Sequence, residues 1–232
     1  SGHGGAGKSF KSSIPEGLPD DIEFNPGGLA VAWAEENSRR AIFDAFQRKE
    51  VYGTSGPRFI VRFFVGDNLD KNMCNNPDNI SYAYANATPM GGTISSDSLA
   101  QPSIFISASA DSSIKDQFIE KLQVVKGVVR NGELLTSIHD VGVTNTQSKL
   151  DISNCEVTGS GEKAMCSVWN DHNFNSSENA YYYVRVVANK SCRWSHNLCL
   201  QNPEYCEADS DASIPKVIQE RAWTSPVWLE ST

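Results

Sequence analysis

Glu35, Glu36 and Arg58 are the candidate catalytic side chains of this sequence. The two glutamates follow a short apolar run, Leu29-Ala30-Val31-Ala32-Trp33. Ligand-binding groups collect just past buried strands of that kind in α/β proteins. Arg58 follows the turn Thr54-Ser55-Gly56-Pro57, where a guanidinium can hold a phosphate or carboxylate through paired hydrogen bonds. Plainer roles exist for all three. First-turn acids are favoured by a helix dipole, and arginines form salt bridges. Separately, Gly2-His3-Gly4-Gly5-Ala6-Gly7-Lys8-Ser9 matches the P-loop pattern letter for letter. That loop works only between a strand and a helix, which aim backbone N–H groups at phosphates. Here Phe10 to Gly17 reads as loop, and no apolar strand ending in an aspartate follows to hold magnesium. A Gly-rich loop is therefore the expectation.

Six cysteines, five of them between positions 155 and 206, favour an oxidising compartment, periplasmic or extracellular. Cys155 and Cys166 bracket Val157-Thr158-Gly159-Ser160-Gly161 as two strands of a hairpin would, which predicts a cross-strand disulfide. Cys192, Cys199 and Cys206, with Cys74, supply two further bridges of open connectivity. Zinc is the competing reading, with His196 the nearby imidazole. Six residues between successive cysteines is wider than structural zinc sites use. Asp171, Asn173 and Asn175 place oxygen-bearing side chains at alternate positions, as calcium loops do. Ser176 and Tyr182 stand where an EF-hand needs Gly and an acid, so an Asx-rich turn competes with a calcium site. Sequons stand at Asn79, Asn86, Asn175 and Asn189 and carry meaning only outside bacteria.

The elements that must position these groups are organised around residues 25–66. Pro26-Gly27-Gly28 breaks the chain, and Leu29–Trp33 reads as a strand. Asn37 or Ser38 caps a helix whose apolar residues Ala41, Ile42, Ala45 and Phe46 recur at helical spacing. Gln47, Arg48 and Lys49 close it, and Phe59–Val65 is the next strand. Strand, helix and strand predict a right-handed βαβ unit. Residues 67–103 read as irregular, and from Ser103 the pattern is all-β. Strands are expected at Ile104–Ala108, Lys121–Val129, Leu135–Val143, Lys163–Trp169, Tyr181–Ala188 and Ala222–Leu229. Asn131-Gly132 marks the strongest hairpin turn. An antiparallel β-sandwich fits this spacing, with a domain boundary near Gly66.

Several blocks resemble a known family. Gly27–Phe64 is similar to the closing segment of bacterial proteins of unknown function grouped with the PHP (polymerase and histidinol phosphatase) metallohydrolases, the family described as domain of unknown function 3604. The likeness continues in Pro89-Met90-Gly91-Gly92, Leu122–Gly127, Tyr182–Val186, Ser191–Ser195 and Gln219–Pro226. It implies an α+β architecture: residues 1–66 as the terminal βαβ portion of a PHP-like α/β barrel, residues 67–232 as a disulfide-bearing sandwich. The His/Asp metal motifs of family members lie upstream of Ser1, so His3 is the one candidate metal ligand near them. A divalent metal is implied for the longer protein and a complete metal site is not expected in this chain.

A net charge of −8 and a pI near 5.0 argue against nucleic acid or anionic membrane as partner. No apolar run reaches the roughly 20 residues of a membrane helix. The resemblance implies the C-terminal segment of a metal-dependent, phosphoesterase-like hydrolase. The partner expected for residues 25–66 is the missing N-terminal barrel portion, or another copy, seated on Ala41, Ile42, Ala45 and Phe46. The alternative is a non-enzymatic binding module that presents Trp169, Trp194, Trp223 or Trp228 to a carbohydrate or protein. A P-loop nucleotidase comes last.

Overall fold

Alternation of exposed and buried residues writes most of this structure. It is a computed structural model that describes residues 27–144, 147–201, 203 and 215–231. The chain opens with β1 (Leu29–Ala32), α1 (Arg39–Gln47) and β2 (Val51–Thr54). Ser38 caps α1, its hydroxyl accepting the Ala41 N–H at 3.2 Å. The expected parallel βαβ unit is not what forms. β1 and β2 pair antiparallel, with Leu29 opposite Thr54 and Ala32 opposite Val51. Lys49 turns the chain at the helix end with a φ of 56°, and the Trp33 N–H donates to the Glu50 carbonyl at 3.0 Å. The helix is thus an insertion within a β-hairpin. The Val51–Thr54 strand is short and sits where the helix end and a turn were expected.

β3 (Ile60–Asp67) is the second expected strand, and Gly66 lies inside it. The stretch read as irregular contains α2 (Asn79–Asn86), β4 (Ala87–Pro89) and β5 (Thr93–Ser95). Beyond it come β6 (Pro102–Ser109), β7 (Ile119–Arg130) and β8 (Glu133–Val143). Asn131 and Gly132 join β7 to β8 with φ of 53° and 79°, the paired positive values that a tight two-residue hairpin needs. The small hairpin β9 (Lys149–Asp151) and β10 (Glu156–Thr158) precedes β11 (Ala164–Asn170) and the long β12 (Ala180–Cys192). A helix the sequence did not suggest, α3 (Trp194–Gln201), follows; β13 (Val217–Thr224) and β14 (Val227–Glu230) end the described chain.

These strands make two principal sheets. The larger orders β1-β2-β13-β12-β14-β5, with β7 and then β8 on the other side of β12. The smaller orders β11-β6-β3-β4. Pairing is antiparallel throughout the named strands except for β14 with β5. Val61, Phe63, Ile104 and Ile106 of the smaller sheet share one buried cluster with Leu122, Val124, Tyr182, Val184 and Val186 of the larger. The fold is therefore β-rich and mainly antiparallel with few helices. No part of a parallel α/β barrel is evident among the described residues.

The disulfides join Cys74 to Cys166 and Cys155 to Cys192. Cys199 is also disulfide-bonded. The expected Cys155–Cys166 bridge fails because Glu156–Thr158 pairs back onto Lys149–Asp151, leaving Cys155 in the turn with a φ of 60°. Cys166 lies on β11, whose neighbour is β6. On α1, Ala45 is buried and Ala41 half-buried, whereas Ile42 and Phe46 are exposed.

Candidate functional site

The turn after β2 builds one wall of a cleft. Gly56 adopts a φ of 151°, a backbone conformation that side-chain-bearing residues seldom adopt. Ser55 locks the turn to β13: its N–H donates to the Arg221 carbonyl at 2.9 Å, and its hydroxyl oxygen accepts the Arg221 N–H at 2.8 Å. The same hydroxyl donates to the Glu220 carboxylate. Asp111, just past β6, accepts the Arg58 N–H at 2.7 Å. The open hollow here, about 480 Å³, is lined by Ser55, Arg58, Asp111, Ser113, Trp194 and Glu220 among others. It adjoins a second hollow of about 650 Å³ that shares Pro57, Ile114, Trp194 and Glu220 and reaches Asn189 and the Cys155–Cys192 bridge.

Two carboxylates in this cleft are pushed apart. Burial raises Glu220 above its ordinary value, against the opposing pull of the Ser55 hydroxyl and the Arg221 charge. Burial acts on Asp111 in the same direction. There the hydrogen bonds from the Ser113 hydroxyl, the Arg58 N–H and the Ser113 N–H together prevail, and its carboxyl is held below the usual range. Arg58 is exposed, and among the described residues its guanidinium makes no hydrogen bond or ion pair. The arrangement offers an anionic group a guanidinium whose hydrogen bonds are unspent, within electrostatic reach of Asp111 and beside a carboxyl group whose proton affinity is raised.

The structure separates the three candidate catalytic residues. Arg58 lines the cleft; Glu35 and Glu36 are exposed in the bend between β1 and α1 and do not line it. The antiparallel register puts that bend at the Ala32–Val51 end of the hairpin and the Ser55–Arg58 turn beyond its Thr54 end. The glutamates precede the helix without belonging to it. Asp111 and Glu220 escaped the sequence reading. The one signal was an acid–base pair, Glu220-Arg221, inside an otherwise strand-like run.

His3, Cys206 and the Gly2–Ser9 motif lie outside the described residues. Cys155, Cys192 and His196 bring one ligand atom each within 4.8 Å of the others. Both sulfurs are spent in a disulfide and His196 Nε2 lies 2.9 Å from the Ile152 carbonyl oxygen, so this trio does not fit a metal that needs thiolates. Asp171 and the two asparagines have partners within the protein. Asp171 is buried, and one of its oxygens accepts from Lys126 Nζ at 2.5 Å and from the Tyr182 hydroxyl at 2.6 Å. Its other oxygen accepts the Asn173 N–H at 2.9 Å. The Lys126 ammonium thus already pairs with the carboxylate that the calcium reading assigns to an ion. Burial raises Asp171, but the bonds from Lys126, Tyr182 and Asn173 outweigh it and lower the carboxyl. Asn175 is exposed and accepts from Ser177. Of the four tryptophans, Trp169 packs against the core and Trp194 lines the cleft, while Trp223 and Trp228 are exposed.

A family model described as "Protein of unknown function (DUF3604)" matches residues 7–231. The chain belongs to this family. No curated protein and no solved structure matches it. Membership in the DUF3604 family agrees with the blocks noted in the sequence and assigns no reaction. No helix among the described residues is long and apolar enough to cross a membrane. The disulfides are of a kind that persists in oxidising compartments.

Proposed function

We propose that this chain is the C-terminal segment of a metal-dependent, phosphoesterase-like hydrolase of the periplasm or cell exterior, in which Arg58 binds the anionic part of the substrate. On this reading the two sheets form an accessory β-sandwich, and an N-terminal barrel portion, from the same protein or another copy, supplies the metal site. The observation that carries the reading is the Arg58 guanidinium, unpaired among the described residues, on a turn whose backbone Asp111 and Ser55 hold fixed. Support also comes from the resemblance of residues 27–64 to the closing segment of PHP-like proteins, and from the exposed Ile42 and Phe46 of α1 as a surface for that barrel.

A bound divalent metal would supply an activated water and charge neutralisation. The residues of this chain have other tasks. Arg58 orients the anion, and Glu220, whose affinity for a proton is raised by burial, stands beside the Ser55 hydroxyl as a candidate proton donor or acceptor. The test is metal-dependent hydrolysis of p-nitrophenyl phosphate and its diester by the longer protein that carries this segment. Arg58→Ala is expected to raise KM roughly 10- to 100-fold, the scale of one or two charge-assisted hydrogen bonds. No metal-dependent hydrolysis, or an unchanged KM in the variant, rejects the reading.

A further inference from the structure

A second surface, remote in chemistry from the cleft, lies on the outer face of the larger sheet. Tyr182, Val184 and Val186 of β12 point into the core and are fully buried, so Tyr181, Tyr183 and Arg185 between them point outward. In the ladders on one side of β12, Trp228 is directly opposite Tyr181 and Trp223 is directly opposite Arg185. Directly opposed residues share a face. Trp223, Tyr183, Tyr181 and Trp228 therefore form a track along the strand. It covers four residue steps of β12, about 13 Å at the usual strand rise.

The rings are held in place. Tyr181 and Tyr183 stack at 6.4 Å between centroids with 17° between planes, and Tyr181 meets the Trp228 ring edge-on at 5.3 Å. Beneath Tyr181 lies Gly127, where an added Cβ would stand 2.2 Å from the ring, so tyrosine covers bare backbone. Trp228 and Trp223 remain 41% and 37% exposed, unusual for the largest apolar side chain on a β-rich domain.

Charge decides what fits this track. Arg185 donates to Gln123 at 2.7 Å, Gln123 donates to Asp140 at 2.6 Å, and Lys121 donates to Asp140 at 3.0 Å. Two cations share one anion in that hydrogen-bonded chain, Lys121 directly and Arg185 through the Gln123 amide, which leaves aromatic planes flanked by polar groups with one excess positive charge. One excess charge, already hydrogen-bonded to an amide, is too little to hold an acidic polymer against salt screening. A neutral sugar fits: its C–H face packs on the rings and its hydroxyls reach amide, guanidinium and carboxylate at their edge.

The geometry points to a binding site for a neutral polysaccharide on the Trp223–Tyr183–Tyr181–Trp228 track. This site is independent of the cleft and of any hydrolytic role. The test titrates the full chain with gluco-, xylo- and manno-oligosaccharides, following tryptophan fluorescence and heat, with heparin as the acidic comparison. At least one neutral oligosaccharide is expected to bind and heparin is not. Trp228→Ala is expected to weaken that binding roughly tenfold, the scale of one lost aromatic contact. Gly127→Ala keeps every ring but displaces Tyr181 and is expected to act in the same direction; Arg58→Ala is expected to leave binding unchanged. Should Gly127→Ala fail to fold, Trp223→Ala takes its place, since that side chain is on the surface. Failure of all three neutral sugars to bind, binding of heparin alone, or full affinity in Trp228→Ala overturns the assignment.

Discussion

Asp171 and Glu220 are both acids withdrawn from water, and their surroundings treat them oppositely. Asp171, at one end of the inter-sheet core, meets an ammonium, a phenol and a backbone N–H, and its carboxyl falls below the ordinary range. Glu220, at the edge of the cleft, meets one serine hydroxyl, and burial leaves its carboxyl raised. A buried charge with its countercharge in contact is a structural device, whereas one without such a partner holds unspent proton affinity. The comparison separates architecture from candidate chemistry in a molecule where both are built from carboxylates.

The largest expected effect comes from breaking the satisfied pair. Lys126→Met leaves Asp171 charged in the core and is expected to destabilise the fold by about 3–5 kcal/mol in urea unfolding. Replacing both, Lys126→Met with Asp171→Leu, should recover part of that loss: no orphan charge remains, but the Tyr182 hydroxyl and the Asn173 N–H lose their acceptor. The pH dependence has a definite sign. A carboxyl lowered in the folded state contributes stability above its ordinary value near 3.8, and that contribution is lost as pH falls through the folded value. The unaltered protein should therefore keep this contribution at pH 5. An intermediate effect is expected at the cleft wall. Asp111→Ala strips the Arg58 N–H and Ser113 of their acceptor and should cost about 1–3 kcal/mol. It should also raise KM for an anionic substrate, since the turn carrying Arg58 loses its anchor.

The smallest effect, and the one that sharpens the contrast, is Glu220→Gln. A carboxyl raised in the folded state contributes stability when protonated, and that contribution fades as pH rises through the folded value. Removing the charge should thus raise the melting temperature at pH 8 and leave it unchanged below the ordinary value of 4.5. A variant less stable than the parent at pH 8 would show that Glu220 is stabilised as an anion, and the two acids would then be alike.

Much of the β pattern was legible because it is local. Asn131-Gly132 announced its hairpin, and the strand expected over Lys121–Val129 lies within β7. Lys126 was not legible as a core residue: a lysine on a strand reads as surface until the partner 45 positions away is known. The βαβ reading failed at Val51–Thr54 for a related reason. Four residues carry too little periodicity to register, and their pairing with β13 lies far along the chain. Cys155 and Cys166 were near in sequence, but strand order fixed their partners elsewhere. The cleft escaped for the same reason, since Ser55, Asp111 and Glu220 meet only after both sheets close.

The two bridges between described cysteines overlap along the chain, since Cys155 falls inside the Cys74–Cys166 span and Cys192 falls outside it. Together they make residues 74–192 a covalent circuit with redundancy. A single protease cut anywhere in that interval leaves both ends joined by at least one bridge, and the nicked chain migrates as one species until thiol is added. A protease that clips the tip of the β7–β8 or the β9–β10 hairpin therefore does not part the two sheets.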